Sequence, residues 1–163
     1  MEERINMRGQ LTLLWRDRQG RVIHQQRYQN RIVTSGRRMV ATLFAGTTSN
    51  EELPTRISHI AIGTGSNPPS DNDLALQNEI VRKPIDNIAF SELVEGEGEA
   101  RVQRIQVGLR AVLERSEANS AEPLREAGIF NAEAGGTLYN RVVFAPVTKT
   151  DNFELTLLWD VIF

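Results

Sequence analysis

Residues 152–163 read NFELTLLWDVIF, and Phe153, Leu155, Leu157, Trp159, Val161 and Phe163 fall on one side of that run without exception. A side-chain period of two belongs to a β-strand, because successive Cβ atoms point to opposite faces. A strand with one unbroken apolar side is covered on one face only, which is the habit of antiparallel sheets. Leu155, Leu157 and Trp159 are therefore expected in the core of a fold built from antiparallel strands.

Shorter runs of the same kind fill much of the chain. Residues 10–16, QLTLLWR, set Leu11, Leu13 and Trp15 on one side, DRQGR turns, and 21–28, RVIHQQRY, returns as a hairpin. Thr34 or Ser35 can cap a helix over about 35–45, with Met39, Val40, Leu43 and Phe44 as its apolar side. Arg37 and Arg38 face outward in this reading, and Gly46 stops the helix. A polar loop follows over 46–55, then a strand over 57–62. Residues 78–91 are extended but interrupted at Pro84, which marks an edge or a bulge. VEGEGEA, 94–100, turns into 101–112, where Ile105, Val107, Leu109 and Ala111 alternate with Arg104, Gln106 and Arg110. A polar loop spans 114–123, and strands at 124–130 and 137–145 flank a turn at 131–136.

About eight strands with one helix predict a mainly β fold: an antiparallel β-sandwich or partly open barrel, one packed helix and an N-terminal β-hairpin. A chain of 163 residues without repeats or a long linker reads as a single domain, 1–163. Within it, 1–28 is a hairpin extension and 30–163 a β-rich core.

The segment 57–73, ISHIAIGTGSNPPSDND, raises the question of a phosphate loop at Gly63-Thr64-Gly65. A dinucleotide fingerprint needs a third glycine where this chain has Pro68, and a P-loop needs a Lys-Ser/Thr pair that is not near. Proline also lacks the N–H that would cradle an anion. The segment reads as a strand end, a Gly/Pro turn and a short helical turn from about Asp71. Asp71 and Asp73 serve as turn or cap residues, since a calcium loop would need further ligands.

Other chemistry finds little support. His24 and His59 are the only histidines and cysteine is absent, so no metal, thiolate or disulfide site is expected. Ser66 has no nucleophile elbow around it. Glu95, Glu97 and Glu99 alternate with glycine in an exposed turn and read as solvated charges rather than an acid/base pair. The net charge is −2, so neither nucleic acid nor membrane is an expected partner. No signal peptide or membrane-length apolar run is read, which points to synthesis in the cytoplasm. The 17 Arg against 2 Lys suit contact surfaces, although genome composition produces the same bias. No cofactor and no enzymatic activity are expected.

Three segments in order resemble a family of small structural proteins from tailed-bacteriophage tails, with relatives in phage-tail-like contractile injection particles. They are NRIVTSGRRMVATLFAG (30–46), ISHIAIGTGSNPPSDNDLALQNEI (57–80) and LREAGIFNAEAGGTLYNRVVFAPVTKT (124–150). The resemblance implies a structural subunit of the tail: baseplate, fibre base or neck. Such a subunit is made in the host cytoplasm and located in the virion. It self-associates as a trimer or hexamer and docks on other tail or baseplate proteins. The alternatives are a receptor- or glycan-binding module of a tail fibre, or a polymer-degrading tail enzyme. The resemblance also implies that Gly63 and Gly65 supply backbone freedom at a turn, that Leu74 tucks under the following loop and that Glu79 begins the next strand. Gly128 would allow close backbone approach, and Asn131 with Gly135 and Gly136 would form a hairpin turn. The hairpin at 1–28 lies outside the resemblance, and pairs either with a neighbouring subunit or with its own sheet.

Overall fold

The computed structural model describes residues 7–47 and 51–163. Residues 1–6 of the expected hairpin extension and 48–50 of the expected loop lie outside the described residues. In chain order the elements are β1 (Arg8–Arg16), β2 (Val22–Gln29), β3 (Arg31–Ile32), α1 (Thr34–Ala45), β4 (His59–Gly63) and β5 (Glu79–Pro84). There follow β6 (Asn87–Glu95), β7 (Val102–Leu113), β8 (Leu124–Phe130), β9 (Leu138–Val147) and β10 (Glu154–Ile162). They make two antiparallel five-stranded sheets, ordered β2-β1-β10-β7-β6 and β3-β9-β8-β4-β5. The sheets are not closed into a barrel. Between them Leu11, Leu13, Leu109 and Trp159 of the first sheet meet Ile60, Ile62, Ile129 and Val142 of the second in one apolar cluster.

The strictly alternating C-terminal segment becomes the central strand of its sheet. β10 pairs with β1 from Arg8↔Ile162 to Arg16↔Glu154, and with β7 from Leu113↔Leu155 to Gln106↔Ile162. Its inward residues Leu155, Leu157, Trp159 and Val161 are buried. β1 lies between β2 and β10, with Leu11 and Leu13 fully buried, so the N-terminal hairpin belongs to the chain's own sheet. The chain crosses between sheets after Pro84: β5 is an edge of the second sheet and β6 an edge of the first.

A second apolar cluster, Val33, Ala61, Leu76, Phe130 and Leu138, joins β4, β8 and β9 to the loop that leads from β4 to β5. Here the structure corrects the sequence reading. Leu76 is the leucine that tucks in, while Leu74 is 72% exposed. The segment from Asp71 forms a turn and no helix. Glu79 does begin β5. At the β8–β9 turn Gly135 and Gly136 hold φ of +60° and +71°, which side chains disfavour, and Asn131 Oδ1 accepts the Thr137 N–H at 2.6 Å. The loop at 114–123 is anchored by buried Lys149, whose Nζ donates to the carbonyls of Glu114 at 2.9 Å and Arg115 at 3.1 Å.

Tyr139 gives a pH-dependent prediction. It sits at a bulge of β9, its hydroxyl is buried without a partner, and burial pushes its phenol from 10.0 up to about 12. Between those values the unfolded chain loses this proton first, so stability falls as pH rises through the window, by about 1.4 kcal/mol per pH unit. Lys149, whose pKa burial lowers, acts in the opposite sense in alkali and is common to both proteins in the comparison. Tyr139→Phe should therefore flatten the alkaline loss of unfolding free energy relative to the parent. Parallel slopes for the two proteins between pH 10 and 12 would contradict it.

Candidate functional site

Two constructions stand out: a buried charge network that fixes the glycine loop, and an apolar surface at one end of the sandwich.

The network centres on Glu126 of β8, which is 0% exposed. Its carboxylate accepts the backbone N–H groups of Gly65 at 3.0 Å, Gln77 at 3.0 Å and Asn78 at 2.7 Å. Arg141 of β9, 2% exposed, donates to it through Nε at 2.9 Å. The same guanidinium reaches Asp73 at 2.9 Å and the carbonyl of Asn67 at 3.0 Å. The glycine loop thus does bind an anion, and the anion is the chain's own carboxylate.

This geometry corrects the role read for Gly63 and Gly65. Neither has positive φ. Each is glycine because of space: a Cβ on Gly63 would lie 2.2 Å from the Asn78 carbonyl, and one on Gly65 2.4 Å from Glu126 Oε1. Gly128 is similarly crowded, with the Asn140 carbonyl 2.9 Å from a would-be Cβ. Asp73 is a partner of Arg141 as well as a turn residue, its Oδ2 accepting the Ser70 N–H at 2.9 Å. Two of the three segments that carry the resemblance meet here: 57–80 supplies the loop between β4 and β5, and 124–150 supplies β8 and β9. No single segment contains the network, so nothing in local periodicity marks it.

The apolar surface begins with α1. Its first N–H, on Thr34, goes to the Asp71 carbonyl at 2.9 Å, and Ser35 Oγ donates to the Leu138 carbonyl at 2.7 Å. Neither hydroxyl caps the helix, contrary to expectation. Gly36 lies against β9, where a Cβ would be 2.0 Å from the Tyr139 carbonyl. Gly46 ends the helix with φ +79° and donates to the Thr42 carbonyl at 2.8 Å. Close contact at the N-terminal half buries Gly36 and Met39 alone. In the C-terminal half Leu43 is 47% exposed and Phe44 94%, which corrects their assignment to a packed face. Arg37 and Arg38 are exposed, as expected.

A groove of about 210 Å³ runs between Met39, Val40 and Leu43 of α1 and a floor of Val107, Val161 and Phe163. Past it the β6–β7 hairpin continues as an arm, because β10 stops pairing with β7 at Ile162↔Gln106 whereas β6 pairs on to Glu95↔Val102. Ile105 and Phe163 exchange backbone hydrogen bonds at the root of the arm, at 3.2 and 2.9 Å. The arm exposes Val94, Val102 and Ile105, Phe90 is 75% exposed just before it, and Arg8 and Arg104 both pair with Glu95. On the other side of α1, a wider pocket of about 560 Å³ is lined by Arg38, Met39, Glu51, Glu52, Asp71 and Leu74, among others.

His24 packs edge-on against Trp15 with centroids 4.7 Å apart, and His59 Nδ1 lies 2.8 Å from Ser58 Oγ. Among the described residues no three His, Cys, Asp or Glu side chains are grouped to hold a metal ion. Glu97 and Glu99 lie in the turn between β6 and β7, which contains a short 3-10 segment, Gly98–Ala100. No family model matches the chain, and neither a curated protein nor a solved structure does.

Proposed function

We propose that the chain is a structural subunit of a bacteriophage tail or tail-like contractile particle, placed at the baseplate, fibre base or neck. It works without catalysis, by self-association and by docking on other tail proteins. The observation that carries the docking half is the apolar surface at the helix end, where exposed Leu43 lines an apolar groove, Phe44 follows it in the helix, and exposed Phe90 and Ile105 neighbour the groove residues Val107 and Phe163. Clustered apolar surface of this kind marks an interaction site, whereas scattered single residues do not. The tail assignment rests on the order of the three resembling segments.

The test is made on particles. Leu43→Glu with Phe44→Glu changes two exposed side chains and should leave the unfolding midpoint unaltered. Incorporation into tails should fall roughly 10-fold or more, the consequence of losing an apolar anchor. Normal copy number for the folded double variant would reject the helix end as the docking surface. Absence of the parent protein from particles would reject the tail assignment itself.

The wider pocket favours a second reading, a receptor- or glycan-binding module. It falls within the range of about 300–1,000 Å³ seen for ligand sites, and its carboxylates and Arg38 could engage sugar hydroxyls. Saturable binding of bacterial surface glycans, lost in Arg38→Ala, would favour that reading.

A further inference from the structure

We infer that β6 is an open sheet edge that pairs with β6 of a second copy of this chain, antiparallel and about a two-fold axis at Ser91. The inference rests on the self-association part of the proposed function and names the surface that performs it.

The four edges of the two sheets differ. β3 has two residues, too few to template a partner. β5 carries Arg82 and Lys83, ends in Pro84, and pairs with β4 through a register shift at Ile62/Gly63. β2 carries Arg27 and pairs with β1 through a register shift at Trp15/Arg16. Basic side chains, proline and bulges are the usual means of blocking an edge. β6 has no basic residue, proline or bulge, its charges being Glu92 and Glu95: NIAFSELVE runs from Asn87↔Arg110 to Glu95↔Val102 in continuous register with β7. Past Ser91 this edge runs beyond the end of β10, and along it Phe90 is 75% exposed and Val94 52%. Unpaired N–H and C=O groups in such a row are a template for another strand.

The sequence of β6 matches itself. An axis at Ser91 uses the full strand and sets Asn87 opposite the partner copy's Glu95, Ile88 opposite Val94, Ala89 opposite Leu93 and Phe90 opposite Glu92. No like charges are directly opposed in that register. Side-chain alternation allows the axis to move only to a neighbouring residue. At Glu92 it would oppose two carboxylates, which is destabilising. At Phe90 it would set Val94 against Asp86 and place Glu95 beyond the strand. Charge and overlap therefore both select Ser91. Specific interfaces begin near about 1,000 Å² in total, and one strand with a single aromatic reaches the lower end of that scale. Association in the micromolar range is expected.

The chain has no cysteine, so an introduced one reports on its own neighbourhood. Directly opposed residues in an antiparallel pair have Cα atoms about 4.5–5.5 Å apart, within the range a disulfide spans. Mild oxidation of Ser91→Cys at micromolar concentration should give a covalent dimer on a non-reducing gel. Ser116→Cys, exposed in another loop, should stay monomeric. Asn87→Cys alone should not cross-link, but mixed with Glu95→Cys it should. Phe90→Lys should weaken association roughly 10-fold or more in sedimentation. Cross-linking of Ser91→Cys no greater than that of Ser116→Cys would overturn the inference. A protein that enters particles yet fails this test would lose the strand pairing alone, while the tail assignment would stand.

Discussion

Replacing Glu126 by Ala should destabilise the fold by about 3–5 kcal/mol, the cost of removing one partner from a buried ion pair. The change strands Arg141, which is 2% exposed and keeps only Asp73 as a charged partner. It also orphans the N–H groups of Gly65, Gln77 and Asn78, each of which ends on this carboxylate. A domain of this size has about 5–15 kcal/mol in hand, so the variant should fold with a melting point lower by roughly 6–20 °C. Two explanations of the loss can be separated. If the ion pair alone matters, Glu126→Leu with Arg141→Met should recover most of the stability, as apolar replacement of buried pairs often does. The geometry favours the other outcome. Three of the carboxylate's partners are backbone groups that no apolar residue can satisfy, so the double variant should remain unstable. Amide exchange at Gly65, Gln77 and Asn78 should accelerate in both. An unchanged midpoint for Glu126→Ala would mean that the loop holds its shape without the carboxylate.

The contrast between this network and β10 explains what a reader of the sequence can and cannot see. Leu155, Leu157 and Trp159 announce themselves by spacing because burial on one sheet face is a local, periodic demand. The alternation of Val107, Leu109 and Ala111 in β7 is legible for the same reason. Strand order is a long-range property, and nothing in QLTLLWR states that it lies between β2 and β10. Glu126 sits in LREAGIF as one charged letter beside Arg125, and the backbone N–H groups it accepts are 48 to 61 residues away along the chain. Gly63 and Gly65 are visible as glycines, but their reason is not: room for the Asn78 carbonyl at Gly63 and for the Glu126 carboxylate, from another segment, at Gly65. The helix was legible over nearly its whole length, from residues 35–45 to Thr34–Ala45. Its exposed face misled because amphipathic spacing shows which residues point one way, and cannot show that the fold leaves Leu43 and Phe44 uncovered.

Trp159→Ala should cost about 3–5 kcal/mol, the usual range for truncating a large core aromatic. The ring is 0% exposed and lies between Leu11 of β1 and Leu109 of β7, its cross-strand neighbours. It also donates Nε1–H to Asn30 Oδ1 at 3.0 Å. That bond ties the core strand to the junction of β2 and β3, where the Asn30 N–H in turn donates to the Gly9 carbonyl at 3.1 Å. Gly9 has to be small for this: a Cβ there would stand 2.1 Å from Asn30 Oδ1. Trp159→Phe separates the two contributions. It keeps most of the apolar volume and leaves Asn30 Oδ1 buried without its donor, a loss of about 1–3 kcal/mol. Asn30→Ala made in the Trp159→Phe background should then cost less than Asn30→Ala in the parent, with a coupling of about 0.5–3 kcal/mol. Strict additivity would show that the bond contributes nothing, and an unaltered unfolding midpoint for Trp159→Ala would contradict its place in the core. Because Gly9, Asn30 and Trp159 come from β1, the β2–β3 junction and β10, the destabilised variants should still unfold in one transition. A separate early transition of the N-terminal hairpin would mean that β1 is held more loosely than its position between β2 and β10 requires.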